Sequence, residues 1–203
     1  ERIYVGKAPG CHSWPQEKIT QTLVVAAKRG QRVVRLKCGD PGVFGRSTEE
    51  VDALKASGIA FEIIPGVTAA CAAAASIGES LTDRGKIDTV VLTTGHRQDG
   101  YAVPEPIKDI RPGTCVALYM AVGAAPQIVD HLKTAHPGGQ FDLQIAAKAQ
   151  RKDQKILRCS LQDLEATLSV NKIAGEAMMF IRWPREAQQA EIAAPCNRAL
   201  SHV

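Results

Sequence analysis

Aromatic residues make up only 4% of this 203-residue chain. Apolar burial therefore rests on Val, Ile, Leu and Ala, within a hydrophobic share of 45%. That balance suits sheets covered by helices. No run of about 18 apolar residues is present, so no membrane-spanning helix is expected. The six cysteines, at 11, 38, 71, 115, 159 and 196, contain no CxxC pair. Zinc and iron–sulfur sites need short-range pairs, so no metal is expected. A disulfide framework is equally unexpected at this size. Cys71 and Cys115 lie in apolar runs and read as core. A reducing cytoplasm is the simplest setting. Nor is there a cluster of Lys and Arg interleaved with aromatics, which argues against nucleic acid. The net charge of +4 and pI of about 8.8 weakly favour anionic ligands. No GxGxxG run stands at a strand-to-helix turn, which makes a Rossmann dehydrogenase a poorer fit. No internal repeat and no low-complexity segment occurs. The chain opens on Glu1 rather than Met and enters a strand pattern at once, so further residues are expected upstream.

What is present is an alternation of strand and helix patterns. Ile3–Val5, Arg32–Lys37 and Phe61–Ile64 read as strands. Between them, Pro15 to Lys28 reads as a helix with Pro in its first turn, ended by Gly30. A second helix starts near Ser47, with Glu49 and Glu50 placed to suit the helix dipole, and ends at Gly58. An Ala-rich helix runs from Ala69 to Ile77. The polar segment Leu81–Gly85 has no period and reads as a linker. Beyond it come strands at Thr89–Thr94, Cys115–Met120, Leu143–Ala147, Lys155–Cys159 and Ala177–Arg182. Helices are expected at Pro126–Ala135 and Leu161–Leu168. The fold class is α/β, with one domain at 1–85 and another at 86–203. Both sheets are expected to be mainly parallel at their centres, since β-loop-α repetition needs crossover helices. The last two strands are candidates for antiparallel pairing. The tail after Pro184 is expected to be loosely held.

In parallel sheets, ligand loops sit at the carboxyl ends of the strands. Cys38–Gly42 and Pro65–Thr68 both fall there. Glycine lets a ligand approach the backbone. Asp40 can accept a hydrogen bond from a ribose or amino group, and Arg46 can grip a carboxylate with its fork. Each residue also has a plainer reading. The Gly39-Asp40-Pro41-Gly42 run can be only a tight turn. Lys7 can be a solvated strand-end lysine. Thr68 can be a helix cap, Met120 core, and Arg84 a salt-bridge partner.

The order of short motifs weighs between these readings. It runs Val5-Gly6-Lys7, His12-Ser13-Trp14-Pro15-Gln16-Glu17, Arg35-Leu36-Lys37-Cys38-Gly39-Asp40-Pro41, and Val43-Phe44-Gly45-Arg46. It continues with Pro65-Gly66-Val67-Thr68-Ala69, Leu81-Thr82, Arg84-Gly85, Thr94-Gly95-His96 and Leu118-Tyr119-Met120. In order and spacing this series resembles the tetrapyrrole methylase family, and within it the uroporphyrinogen-III C-methyltransferase branch, over roughly residues 3 to 160. The family's amino-terminal strand and Gly-x-Gly-x-Gly-Asp-Pro loop have no counterpart here, nor has the nearby aspartate taken as its proton acceptor. Cys38 and Ala149 stand where the family has glycine, Gly42 where it has phenylalanine, and Asp83 where it usually has histidine. Ala147-Lys148 replaces a Glu-Asn pair.

The resemblance implies two α/β domains with a cofactor cleft between them, and a homodimer. It implies methyl transfer from S-adenosylmethionine to carbons 2 and 7 of uroporphyrinogen III, giving precorrin-2 and leaving S-adenosylhomocysteine. Carried over by motif, Cys38, Gly39, Asp40, Val43, Thr68, Ala69, Met120 and Ala149 would line the cofactor. Lys7 would be the proton donor. Arg46 and Arg84, with His96 and Arg97, would meet the carboxylates of the tetrapyrrole. Two other readings stand beside this one. One is a methylase of a later precorrin. The other is a truncated paralogue that binds cofactor or tetrapyrrole without catalysis.

Overall fold

The computed structural model describes residues 1–6, 14–97 and 100–186. The chain groups into two compact units, Glu1–Ala69 and Ala70–Val203. No helix among the described residues is long and apolar enough to cross a membrane.

The first unit is built on α1 (Gln16–Lys28) and α2 (Ser47–Ala56). Pro15, with ψ of 148°, starts α1 from an extended backbone, and Ile19 is its buried anchor. Both helices stop in the same way. After α1, Gly30 and Gln31 donate their N–H groups to the carbonyls of Ala27 and Ala26; after α2, Gly58 and Ile59 donate to Lys55 and Leu54. These paired closing bonds need a left-handed residue, and Gly30 and Gly58 supply it at φ of 76° and 65°.

The three expected strands of this unit are not strands in the structure. Among the described residues, no backbone hydrogen bond joins the runs at 3–5, 32–37 and 61–64 to one another. A strand exists only where a ladder partner takes up its N–H and C=O groups. These runs lack one, and Val34 and Leu36 accordingly remain 73% and 82% exposed.

The second unit holds α3 beyond its first residue (Ala69–Ile77), then β1 (Thr89–Thr94), the short pair β2 (His96–Arg97) and β3 (Gly100–Tyr101), and α4 (Glu105–Lys108). β4 (Thr114–Tyr119), α5 (Ala125–Ala135), β5 (Asp142–Ala147), β6 (Lys155–Cys159), α6 (Leu164–Val170) and β7 (Ala177–Trp183) follow. Five strands form one sheet in the order β1-β4-β7-β5-β6. Only β1 and β4 pair in parallel; the other three pairings are antiparallel. This corrects the expectation of a mainly parallel sheet. The turn from β5 to β6 is too short for a crossover, so those strands must pair antiparallel. β7 inserts between β4 and β5, antiparallel to both. The last two strands therefore do not pair with each other, because β5 separates them.

Alternate residues of the sheet, among them Val116, Leu118, Leu143, Ile145, Met179 and Ile181, enter one core with Ile128 and Leu132 of α5 and Leu164 and Leu168 of α6. The other face carries Gln144 and Arg182, both buried. Glu79, just beyond α3, accepts a hydrogen bond from Gln144 at 2.9 Å and pairs with Arg158 and Arg182. Cys115 is buried as expected, and burial pushes its thiol up. Cys71 is exposed, not core. It lies off the Ala70, Ala73 and Ala74 stripe that α3 buries. The start of the tail is also held more firmly than expected. Arg185 donates to both carboxylate oxygens of Asp88, at 2.6 and 3.1 Å, and its backbone N–H reaches the Lys86 carbonyl.

Candidate cofactor and substrate site

In the first unit, two loops expected to share a ligand meet backbone to backbone. Gly39 has φ of 71°, a conformation that costs other residues about 1–2 kcal/mol. Its missing side chain faces Val67–Ala69, where a Cβ would stand 3.5 Å from the Val67 carbonyl oxygen. The approach is closer still at Gly66: a Cβ there would lie 2.3 Å from the Gly39 carbonyl oxygen. Asp40 holds the two loops at this distance. Its Oδ1 accepts from the Gly42 N–H at 2.8 Å and its Oδ2 from the Gly66 N–H at 2.9 Å. Val43 donates its N–H to the Asp40 carbonyl at 3.2 Å. Cys38, Gly39, Asp40, Val43, Thr68 and Ala69 are thus drawn into one backbone-rich patch.

Arg46 is engaged by its own helix. It precedes α2 in the left-handed region, at φ of 54°. Its guanidinium donates to Glu49 through Nε at 2.7 Å and Nη2 at 2.8 Å. That two-pronged contact raises its already high pKa further.

In the second unit the site residues follow from strand direction. β4 is parallel to β1, and β4 and β5 are both antiparallel to β7. β1, β4 and β5 therefore end at the same edge of the sheet. Gly95, Met120 and Lys148-Ala149-Gln150 follow those ends, and Glu176 precedes β7 there. Four of these residues are non-glycines at positive φ: Met120 at 48°, Lys148 at 50°, Gln150 at 63° and Glu176 at 45°. Sparsely populated backbone states of this kind cost about 1–3 kcal/mol each and gather at functional sites. The edge is pinned by the Gly95 N–H on the Tyr119 carbonyl at 3.0 Å and the Lys148 N–H on the Glu176 carbonyl at 2.8 Å. The Gln150 amide donates to Ser76 Oγ of α3 at 2.8 Å. The Tyr119 hydroxyl accepts from the Ala70 N–H at 3.2 Å.

Met120 is half exposed at this edge, so it is not core. Arg84 is exposed in a turn closed by the Asp83 and Ile87 backbones. His96 packs edge-on against Tyr101, with ring centroids 5.0 Å apart. Lys7 lies outside the described residues, as do Cys11, His12 and Cys196. Glu50, buried among Gln16, Arg35 and Lys37, was missed in the sequence as anything but a residue suited to the helix dipole.

The model of the tetrapyrrole (corrin/porphyrin) methylases matches residues 2–165. The chain belongs to that family. It is 37% identical over 182 residues to a siroheme synthase of Gluconacetobacter diazotrophicus, covering 89% of this chain and 39% of the relative. It is 40% identical over 164 residues to siroheme synthase 1 of Aeromonas hydrophila, covering 81% and 35%. The chain thus spans about two fifths of the length of these relatives. Among solved structures, a cobalt precorrin-4 methyltransferase superposes with a TM-score of 0.75 at 28% identity, over 85% of this chain and 72% of that one. A uroporphyrin-III C-methyltransferase from Thermus thermophilus, complexed with S-adenosylhomocysteine, gives 0.69 at 27% identity, over 90% and 76%. At Gly39 and Gly66 the two loops lie so close that no side chain fits between their backbones.

Proposed function

We propose that this chain binds S-adenosylmethionine and directs its methyl group to carbons 2 and 7 of uroporphyrinogen III, giving precorrin-2 for cobalamin and sirohaem biosynthesis. One observation carries the reading: Asp40 brackets the Cys38–Gly42 loop to Gly66, joining two family motifs into one backbone surface. The match to siroheme synthases and to a structure holding S-adenosylhomocysteine supports it. When bound, S-adenosylmethionine supplies an electrophilic methyl on a sulfonium whose positive charge is lost in transfer. A site lined by backbone and apolar side chains suits that loss better than a cage of carboxylates. Cys38, Gly39, Asp40, Val43, Thr68 and Ala69 hold the donor on this reading, with Met120 and Ala149 at the strained sheet edge. Lys7 donates the proton. Arg84 meets a carboxylate of the tetrapyrrole, and Arg46 does so by exchanging Glu49 for the substrate. The protein acts as a cytoplasmic homodimer without a metal.

The likeness to cobalt precorrin-4 methyltransferase favours a second reading, methylation of a later precorrin by the same donor site. Calorimetric titration with S-adenosylhomocysteine tests what the two share. Saturable binding is expected. Neither heat nor a thermal shift at millimolar ligand would refute both.

A further inference from the structure

Glu50 is 5% exposed, and it alone among the residues of α2 is buried. A carboxylate leaves water only where other groups replace it. Here Oε2 accepts from Lys37 Nζ at 2.9 Å, and Oε1 from Arg35 Nε at 3.3 Å and Gln16 Nε2 at 2.9 Å. Arg35 and Lys37, two positions apart in the 32–37 run, both reach that carboxylate. One carboxylate therefore fastens α1, α2 and that run. Lys37 is itself nearly covered, with 11% of its side chain exposed. The next residue is Cys38, which opens the loop that Asp40 brackets to Gly66.

The cluster sets two cations against one anion. Without the anion, both positive charges would lose this partner, that of Lys37 directly before the loop. We propose that Glu50 offsets one of the two positive charges that Lys37 and Arg35 would otherwise present to a cationic ligand at Cys38–Asp40. This rests on the reading of that loop as part of the S-adenosylmethionine site. The two natural ligands separate a charge effect from a loss of packing. S-adenosylmethionine carries a positive sulfonium, whereas S-adenosylhomocysteine has a neutral thioether of nearly the same shape.

The test is Glu50→Gln in the full chain, titrated with each ligand while thermal melting is followed. A loss of packing alone would weaken both ligands equally. The proposal expects affinity for S-adenosylmethionine to fall at least about threefold more than affinity for S-adenosylhomocysteine, as an added like charge at partly screened range would produce. Adding Lys37→Met to Glu50→Gln returns the ratio of the two affinities toward that of the wild type. If Glu50→Gln fails to fold, Lys37→Met alone provides the comparison, and the ratio should move in favour of S-adenosylmethionine. A ratio that stays at the wild-type value in the variants that fold overturns the proposal. Wild-type protein that binds neither ligand overturns the functional reading and this proposal together.

Discussion

The Gly66 backbone N–H donates to Oδ2 of Asp40 at 2.9 Å, across 26 positions of sequence. The other carboxylate oxygen of Asp40 takes the N–H of Gly42. A single side chain thus sets the separation of two loops whose own side chains contribute little. Asp40→Ala should remove both bonds, lower stability by about 1–2 kcal/mol and weaken S-adenosylhomocysteine binding about tenfold or more. Asp40→Asn keeps an acceptor and should lose less. Chemical denaturation and calorimetry on the same variants check the order.

Gly66→Ala should be worse for binding than its size suggests. The new methyl group would lie 2.3 Å from the Gly39 carbonyl oxygen, and that contact is to backbone rather than to a movable side chain. The loops must part. Gly58→Ala is the control: its φ is 65°, but nothing lies within 4 Å of a Cβ there. It should cost about 1–2 kcal/mol of backbone strain and leave ligand affinity unchanged. Equal binding by Gly66→Ala and wild type would contradict the close approach.

Acid should act through Glu79. Hydrogen bonding from Gln144, helped by Arg158, holds its carboxyl below the usual carboxylate range. A group depressed in the folded state adds stability above its unfolded pKa, about 4.3 for Glu. That stability is lost as pH falls through the lower folded value. Glu79→Gln should therefore flatten the fall in melting temperature below about pH 4.3 while lowering the neutral-pH plateau. Parallel curves for wild type and variant would remove Glu79 from the acid response.

Lys7→Met tests the proton-donor role. A positioned acid or base is worth about 10²-fold or more in turnover. The variant should lose that much activity while binding S-adenosylhomocysteine almost normally. Turnover within twofold of wild type would remove Lys7 from the mechanism, and lost ligand binding would move it to a structural role.

The sequence pattern was most legible for single elements. The apolar runs at Thr89–Thr94 and Leu143–Ala147, and the helices at Ser47 and Ala69–Ile77, fall where the periodicity places them. The same kind of run at 32–37 forms no ladder. Alternation reports what the side chains prefer, not whether a partner strand is present. The insertion of β7 between β4 and β5 was equally hidden, because long-range pairing leaves no mark on either strand. At the site, Gly39 and Asp40 stood out by residue type, but the bond from Asp40 to Gly66 did not. Glu49 and Glu50 look alike in the first turn of α2. Only the fold separates the exposed partner of Arg46 from the buried partner of Lys37.

The proposed methyl transfer to uroporphyrinogen III is tested most directly by incubating the full chain anaerobically with uroporphyrinogen III and isotope-labelled S-adenosylmethionine and locating the label by mass spectrometry and NMR. Two labelled methyl groups are expected, at carbons 2 and 7, with S-adenosylhomocysteine released in step. Label that appears only when a later precorrin is supplied would contradict it in favour of the second reading. No label on any tetrapyrrole, from protein that binds S-adenosylhomocysteine, would contradict it outright.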